Sequence, residues 1–454
     1  MGHTRYASVL GLGFGDCGKG LFIDALTRRW GAHTVVRFNG GAQAGHNVVE
    51  RLPEGSVRHH TFSQFGAGTL VPGVRTVLAY PVVVHPTALL MEAKALAKIG
   101  IHSALERLLI DRECLVTTPF HQAAGRLREH LRAADAHGSC GVGVGETVGH
   151  ALSYADEALR YGELLTVTVA EKTALLNKLE GIRRRFATEL LPSLAQARPD
   201  WVDYEVAVLS RDGIAERWLE QIAVITEQCI GHSADAIANV LSSPGCVLFE
   251  GAQGVLLDEW RGFHPHTTWS TINTKAIDTV AHHYGITSCI EHLGVMRSYL
   301  TRHGAGPLPT HDALLNDLSE PHNTGDSWQG AFRRGHPDAV LLRYALSAIG
   351  DLSGLLVSHM DVFDRVQSLR WCESYLCKDI DKFLVSNITT LPLSERGDLS
   401  HQSRLTKLLR SAQPLYAESP IRTSAELIER IACETSLPIR FTSSGNTHRN
   451  VFES

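Results

Sequence analysis

The sequence predicts an α/β fold with a large, mostly parallel central sheet and helices on both faces. Short apolar runs of strand length alternate with helical stretches along most of the 454 residues, and this alternation is typical of parallel sheets. Several of the runs end in glycines just before a helical stretch, as in a strand, a tight turn and a helix. We expect one domain over residues 1–454, in which residues from about 151 to 238 form a long, charged helical insertion.

The individual elements follow from the N-terminus in order. The run "YASVLGLGFG" predicts a strand that ends in glycines, and "GLFIDALTRRW" has the apolar spacing of a helix. "AHTVVRFNGG" and "VRTVLAYPVVVHP" predict strands, and "TALLMEAKALAKIG" predicts a helix closed by Gly100. The clearest helix of the insertion is "EKTALLNKLEGIRRRFATELL". Four further apolar runs predict buried strands: "ERLLID", "GCVLFEGAQG", "CIEHLGVM" and "SGLLVSHMDVFD".

Composition excludes several classes of partner. The formal net charge is −5, so the chain lacks the basic excess of proteins that bind nucleic acid or anionic membranes. It has no apolar run of membrane-spanning length, and its N-terminus lacks the apolar segment of a signal peptide. The nine cysteines are scattered, odd in number and free of C-x-x-C pairs. We therefore expect a reduced, cytoplasmic protein that binds neither nucleic acid nor membranes.

The first glycine-rich stretch predicts a P-loop-like nucleotide site. From Gly13 it reads G-x-x-x-x-G-K, but Gly20 stands where a Ser or Thr usually helps to hold Mg²⁺. Glycines allow backbone N–H groups to converge on an anion, and Lys19 adds a positive charge at the helix start. Asp16 is unusual, because a carboxylate in a phosphate cradle repels the ligand unless a cation or a proton-transfer role offsets it. It is a candidate metal ligand and general base; the alternative is a helix N-cap.

The second glycine-rich stretch, "RFNGGAQAGHNVV", places His46 after Gly45 at the end of another strand. A lone histidine is most often structural or simply exposed. Beside a second phosphate-binding loop, however, His46 becomes a candidate general acid or phosphate-contacting donor.

The two loops together resemble those of the adenylosuccinate synthetase family, which read G-D-E-G-K-G and G-G-x-N-A-G-H. The likeness continues, in the same order and over nearly the whole chain, in five further segments. These are "FEGAQGVLLDEWRGFHPHTT", "YLTRHGAGPLPT", "HPDAVLLRYA", "VSHMDVFD" and "TSSGNTHR". Such an ordered set of motifs is highly specific for the family.

The resemblance implies a GTP- and Mg²⁺-dependent ligase of purine biosynthesis, active as a homodimer. Such an enzyme phosphorylates the 6-oxygen of IMP and then displaces the phosphate with the amino group of L-aspartate. Asp16 would be the base for N1 and His46 the acid that supports the phosphoryl oxygens, with Lys19 and Gln253 as further catalytic residues. Asp16 and the carbonyl of Gly45 would hold Mg²⁺, in place of the missing hydroxyl.

The resemblance also assigns the binding residues. The nucleotide site would comprise Gly15, Asp16, Cys17, Gly18, Lys19, Gly20, Leu21, Gly45, His46, Asn47, His359, Asp361, Ser443, Ser444 and Gly445. The acceptor purine nucleotide would contact Gln43, Cys140, Arg160, Gln253 and Thr268. The amino acid would be bound by Arg333 and Arg334.

Several positions that contact substrates depart from the family pattern. Gln43 replaces an asparagine, Cys140 a phosphate-binding threonine and Val142 an arginine. Asp156 aligns with an arginine that reaches across the dimer. Losing two cations and gaining an anion weakens a phosphate site unless something compensates.

The loop that binds the amino acid departs as well. It reads "SWQGAFRRG" from Ser327 to Gly335, so that Trp328 and Phe332 add apolar bulk. At the base site, His359 replaces a lysine.

These departures leave alternatives to the default pair of IMP and aspartate. One is the same chemistry on a guanine nucleotide, a specialised-metabolite purine or another amino acid. Phage relatives that use dGMP lack the loop aspartate, so Asp16 argues against membership of that group. Another alternative is a nucleotide-binding regulatory protein without ligase activity, against which the intact catalytic set argues. GTP as the phosphoryl donor is expected over ATP from the resemblance alone.

Overall fold

The structure, a computed structural model, describes residues 4–195, 199–229, 231–318, 320, 328, 330–379 and 384–454. Within them lie 19 strands and 12 α-helices. The strands are β1 (Thr4–Gly11), β2 (Ala32–Arg37), β3 (His46–Arg51), β4 (Val57–Phe62), β5 (Arg75–Leu78), β6 (Val83–Val84), β7 (Leu108–Asp111), β8 (Leu115–Val116), β9 (Gly231–His232), β10 (Gly245–Glu250), β11 (Ile290–Arg297), β12 (Leu300–His303), β13 (Phe332–Gly335), β14 (Gly354–Ser358), β15 (Cys372–Asp379), β16 (Leu384–Ile388), β17 (Gln413–Tyr416), β18 (Ile439–Ser443) and β19 (Val451–Glu453).

The helices are α1 (Lys19–Trp30), α2 (Pro86–Lys98), α3 (Pro119–Arg132), α4 (Val144–Ser153), α5 (Val169–Leu190), α6 (Asp200–Ser210), α7 (Ile214–Gln228), α8 (Ala234–Leu241), α9 (Thr274–His283), α10 (Ala339–Ile349), α11 (Leu399–Ser411) and α12 (Ser424–Thr435). In the part of the chain that the structure describes, none of them is long and apolar enough to cross a membrane.

Ten strands form the central sheet, in the order β19-β18-β14-β11-β1-β10-β2-β5-β7-β9. All neighbouring pairs are parallel except β18 and β19, which are antiparallel at one edge. The predicted fold class, a large and mostly parallel sheet, is confirmed.

Side-chain alternation along β1 separates two hydrophobic cores. Ala7 and Val9 point into one core with Phe22 of α1, whereas Tyr6 and Leu10 point into the other. The second core also contains buried residues of α9 and α10, among them Ile277 and Tyr344. Because both faces are covered by helices, the continuous apolar strands are buried on both sides, as predicted.

The region of the predicted insertion is mainly helical. Helix α5 buries Leu175, Leu179, Ile182 and Phe186 in the first core, and α6 and α7 pack in the same cluster. The short strand β9 lies within the region and pairs with β7 at the sheet edge. Helices α4 and α8 extend beyond 151 and 238 at either end. A single domain with these insertion limits stays a prediction.

The candidate site residues follow the carboxyl ends of neighbouring parallel strands. The two glycine-rich loops follow β1 and β2, Gln253 follows β10, and His359 follows β14. Carboxyl ends of parallel strands meet at one edge of a sheet, where ligands of open α/β folds bind. The hairpin of β12 and β13 lies beside this edge, since β12 begins three residues after β11 ends.

Candidate active site

The first glycine-rich loop turns directly into α1, which begins at Lys19. Gly15 and Gly18 have φ angles of 114° and 88°, a region that favours glycine over other residues. The Lys19 ammonium donates to the carbonyl of Gly15 at 2.7 Å, so the lysine closes the loop. The N-cap is Gly18 without a side-chain cap, so the alternative of Asp16 as N-cap is wrong. The N-terminal amides of α1 are thereby left for an anionic ligand.

Asp16 is held at both its backbone and its side chain. Its carbonyl accepts hydrogen bonds from Thr301 Oγ1 at 3.2 Å and from Arg297 Nη1 at 3.3 Å. Its Oδ2 lies 3.1 Å from Nε2 of His303. Burial alone would raise the pKa of Asp16, but the His303 contact and the charges of Arg297 and Lys19 outweigh it and lower the pKa below 3.8. The carboxylate is therefore ionised at neutral pH and available as a proton acceptor or metal ligand.

His46 is buried against the first loop and faces a carboxylate. A Cβ atom added at Gly20 would lie 2.8 Å from Cβ of His46, so the two loops are in contact. Nδ1 of His46 makes a short hydrogen bond to Oε1 of Glu250, whose Oε2 accepts from the backbone N–H of Ala67 at 2.8 Å. Burial lowers the pKa of His46 to about 4, although the charge of Glu250 raises it. In this state the ring is neutral, with Nδ1–H donated to Glu250.

Gln253 has a strained backbone and an unsatisfied side chain. Its φ angle is +55°, which is uncommon for a residue other than glycine. Both amide atoms are buried without a hydrogen-bond partner among the described residues. A Cβ atom added at Gly40 would lie 3.0 Å from its Oε1, so the amide packs against the second loop. Buried amides normally have partners, so this one indicates a position where a polar ligand binds.

The predicted base site adjoins the phosphate loop. Ser358 Oγ donates to the carbonyl of Cys17 at 2.8 Å and lies 2.8 Å from Nδ1 of His359. His359 has a φ angle of +61°. The carboxylate of Asp361 accepts a hydrogen bond from Arg365 at 3.1 Å. Ser443 ends β18, next to β14, and its hydroxyl is buried without a partner in the described part of the chain.

The predicted acceptor residues are only partly brought together. Nε2 of Gln43 lies 3.5 Å from Oγ1 of Thr268, at the limit of a hydrogen bond. The Arg160 guanidinium instead donates to the carbonyl of Glu113 at 3.0 Å and pairs with its carboxylate at 3.3 Å. Cys140 is partly buried, and burial raises the pKa of its thiol. A shared role of these residues in binding one nucleotide stays a prediction.

Strand β13 places the two predicted amino-acid ligands on opposite faces. Arg333 pairs in register with Arg302, and its guanidinium donates to the carbonyls of Gly304 and Gly306. Arg334 pairs in register with Thr301, so it lies on the face of the hairpin that contacts Asp16. The two arginines therefore cannot clamp one carboxylate side by side. Ser327 and Gln329 of the same predicted loop lie outside the described residues.

Three residues of the site were not predicted as site residues. Glu250 stands at the end of a buried apolar strand three residues before Gln253, a position where an acidic residue is costly without a partner. Arg297 and His303 flank the segment that leads into the hairpin. Their contacts with Asp16 span more than 280 positions, and spacing along the chain gives no sign of such pairings.

An anion-binding helix start beside an ionised carboxylate and a buried His–Glu pair provides the chemistry of phosphoryl transfer. On a parallel sheet of this kind, these features define a nucleotide-using α/β enzyme.

Comparison with known proteins identifies the family. A profile described as adenylosuccinate synthetase matches residues 8–451. The adenylosuccinate synthetase of Hamiltonella defensa subsp. Acyrthosiphon pisum (strain 5AT) is 30% identical over 449 residues, covering 96% of this chain and 94% of that protein. That of Edwardsiella ictaluri (strain 93-146) is 34% identical over 376 residues, covering 82% and 80%. The chain belongs to the adenylosuccinate synthetase family, a family of ligases, as the motifs predicted.

Two solved structures share the fold. Fully ligated adenylosuccinate synthetase from Plasmodium falciparum matches with a TM-score of 0.76 at 20% identity, over 99% of this chain and all of that one. The succinoaminodeoxyadenylate synthetase of cyanophage S-2L, bound to dGMP and to dATP as an energy donor, matches with a TM-score of 0.60 at 15% identity. Here the match covers 99% of this chain and 95% of that one. At these identities the likeness concerns the fold alone.

Proposed function

We propose that the protein joins IMP to L-aspartate at the expense of GTP, through a 6-phosphoryl intermediate, and so forms adenylosuccinate. Family membership supports the reaction class. The observation that carries the proposal is the unsatisfied Gln253 amide, which is buried beside Gly40 of the second loop, while the backbone carbonyl of Gln253 packs against Gly11 at the start of the first. A purine ring placed there would offer the donor and acceptor that this amide lacks.

The residues of the two loops fit the two chemical steps. The ionised Asp16 carboxylate takes the proton from N1 of the hypoxanthine while the 6-oxygen attacks the γ-phosphorus of GTP and GDP leaves. Lys19 and the amides of α1 bind the phosphates. His46, oriented by Glu250, takes up a proton when the phosphates bind and then donates Nε2–H to the phosphoryl oxygens. The amino group of aspartate then attacks C6, inorganic phosphate leaves with the electron pair of the C6–O bond, and the proton lost by the amino group leaves with the phosphate.

The donor set at Asp16 fits Mg²⁺. The Asp16 carboxylate and the Gly45 carbonyl are oxygen ligands, which Mg²⁺ prefers. Within the described residues, no group of three or more His, Cys, Asp or Glu side chains could hold a metal by itself. Mg²⁺ would therefore be bound with phosphate oxygens completing its shell, and when bound it neutralises charge on the transferring phosphoryl group.

We also propose a homodimer in the cytoplasm. Four strongly exposed apolar side chains lie near Asp156 in sequence: Leu152, Tyr154, Val167 and Val169, with exposed fractions of 69%, 41%, 91% and 84%. Apolar side chains exposed to this extent are typical of surfaces that a partner covers. All nine cysteines are free, which fits a reducing compartment. Light scattering at several concentrations measures the oligomeric state, and a monomer throughout would contradict the dimer.

The test of the activity is phosphate release from GTP with Mg²⁺, combined with mass spectrometry of the product. Phosphate release that requires both IMP and aspartate, with a product of the condensed mass, is expected. Asp16→Asn should abolish release, because the amide cannot accept the N1 proton. Asp235→Asn, the same change at an exposed position on α8, is the matched control and should be fully active.

Three results would contradict the proposal in different ways. Hydrolysis of GTP without either substrate would favour the regulatory alternative. Turnover with dGMP or another amino acid, but not with IMP and aspartate, would replace the substrates and keep the mechanism. Normal turnover by Asp16→Asn would refute Asp16 as the base.

A further inference from the structure

Among the residues that the structure describes, the side-chain hydrogen bonds to the backbone carbonyl and the carboxylate of Asp16 all come from one short segment, Arg297 to His303. Arg297 ends β11, and Thr301 and His303 stand two residues apart on β12, so these two share one face of the strand. Thr301 and Arg297 donate to the Asp16 carbonyl, and His303 contacts its Oδ2. The phosphate loop and the hairpin of β12 and β13 are thereby fixed to each other at the loop aspartate.

The chemistry of the two groups defines the direction of the His303 contact. An ionised carboxylate only accepts hydrogen bonds, so Nε2 of His303 must carry the hydrogen and donate it at 3.1 Å. Nδ1 of the same ring is buried without a partner among the described residues. The hydrogen bond to Asp16 is thus the polar contact that this ring makes in the described part of the protein.

Packing holds the imidazole in this orientation. Its ring lies 4.6 Å from the ring of Phe332, centroid to centroid, on the neighbouring strand β13. Phe332 is itself buried, and the Arg334 guanidinium lies 4.9 Å from its ring centre. One face of the hairpin therefore carries a stack of three side chains, Arg334, Phe332 and His303, and His303 contacts the Asp16 carboxylate.

We propose that His303 is a positioning residue for the reaction: its Nε2–H fixes Oδ2 of Asp16, so that Oδ1 takes the proton from the purine. The inference rests on the proposed function, in which Asp16 is the base. His303 acts as a hydrogen-bond donor and does not itself need to gain or lose a proton. In the described residues Oδ2 is the carboxylate oxygen that accepts a side-chain hydrogen bond, which leaves Oδ1 for the substrate.

Three variants of His303 separate this role from a general structural one. Glutamine can place its amide nitrogen where Nε2 lies but cannot titrate. Asparagine is one bond shorter and cannot reach Oδ2, and leucine fills the space without a donor. His311→Leu, the same change at an exposed histidine, is the matched control.

The expected result is a loss of turnover without a loss of nucleotide binding. His303→Leu and His303→Asn should lower kcat roughly 10- to 100-fold, the range for removing a hydrogen bond to a charged group. The KM for GTP should stay within about twofold, because the phosphate contacts are unchanged. His303→Gln should recover kcat to within about threefold of the unmodified protein. If the leucine variant does not fold, as judged by thermal melting, the glutamine and asparagine variants decide the question.

Either of two results for kcat would overturn the inference: an unchanged kcat in His303→Asn, or a kcat of His303→Gln as low as that of His303→Asn. A variant whose KM rises while kcat stays constant would also overturn it, because positioning of the base acts on turnover. Comparison of Asp16→Asn with the His303 variants distinguishes a failure of this inference from a failure of the proposed function. If Asp16→Asn keeps full activity, Asp16 is not the base; if Asp16→Asn is inactive while all His303 variants are active, only the role of His303 is wrong.

Discussion

Lowering the pH from 7 to 4.5 should destabilise the protein through a chain of buried histidines between α3, α4 and the helical insertion. His121 is 1% exposed, and its Nδ1 accepts a hydrogen bond from the backbone N–H of Thr118 at 3.2 Å. Its Nε2–H therefore donates to Nδ1 of His150 at 3.4 Å, and Nε2–H of His150 donates to Glu157 at 3.4 Å. This series of hydrogen bonds requires the rings of both His121 and His150 to be neutral. Protonating Nδ1 of His121 would set its hydrogen against the N–H of Thr118 and break the capping box of α3.

The size of the effect follows from the pKa of His121. Burial, followed by the charges of His150 and His85, lowers this pKa from 6.5 to about 3. Because the unfolded state binds the proton first, the contribution of His121 to stability is complete above pH 6.5. It is lost as the pH falls from 6.5 towards 3. At pH 4.5, about two units below the pKa of the unfolded state, the loss of stability is about 2.7 kcal/mol. For a chain of this length, that corresponds to a fall of about 3 °C in the melting temperature.

The assay compares the unmodified protein with His121→Gln between pH 7 and 4.5. Glutamine at the third position of α3 keeps the capping box and cannot titrate. The variant should therefore lose about 2.7 kcal/mol less stability than the unmodified protein over this range. Calorimetric melting at each pH gives the difference, because titratable groups that do not interact with residue 121 contribute equally to both proteins. Parallel loss of stability in the two proteins would refute the assigned tautomers and the buried neutral state.

Two further predictions concern catalysis. Arg334→Ala should raise the KM for aspartate about tenfold or more and Arg333→Ala much less, because only Arg334 lies on the hairpin face that contacts Asp16. Steady-state kinetics with each variant measures the two KM values, and a larger rise for Arg333→Ala would show that the amino acid binds at the other face. Glu250→Gln should lower kcat roughly tenfold, because the charge that helps His46 to take up a proton is lost and the N–H of Ala67 faces an amide. The role of the His46–Glu250 pair would be contradicted by unchanged turnover, or by calorimetry that shows equal proton uptake on GTP binding with and without the substitution.

The sequence predicted the parts of the fold and site that depend on local pattern. Apolar runs, glycines and helical spacing located seven of the ten strands of the central sheet, since burial on both faces requires continuous apolar strands; the strands β9, β18 and β19, at or beside the sheet edges, were not predicted. The motif order predicted the family, and the loops around Asp16 and His46 follow β1 and β2, which flank β10 and end at the same edge of the sheet. The pairing of His46 with Glu250 joins positions 204 residues apart and depends on the packing of two loops. Local spacing carries no information about such a contact.

The arginines of the amino-acid loop show the same limit at shorter range. The resemblance assigns both Arg333 and Arg334 to the amino acid, and the two residues are adjacent in sequence. In a strand, adjacent side chains point to opposite faces, so the two arginines lie on opposite faces of the hairpin. Only the assignment of the segment to β13, which depends on its pairing with β12, determines which arginine faces Asp16.

Two of the loops that the resemblance marks as altered, the one around Gly141 and the one that contains Trp328, contact each other. The ring of Trp328, from the altered amino-acid loop, lies against Gly141, where an added Cβ atom would be 3.3 Å away. Gly141 stands between Cys140 and Val142, the positions at which the resemblance implies a threonine and an arginine. Arg126 donates to the carbonyl of Gly141 at 2.9 Å and lies 5.4 Å from the Trp328 ring centre, so it joins both loops. Because an indole at 328 occupies space beside the loop at 140–142, a change in one loop alters the packing of the other. Asp16, His46 and Gln253 follow β1, β2 and β10 of the central sheet, so we expect a change at this shared surface to alter substrate recognition without moving those three residues.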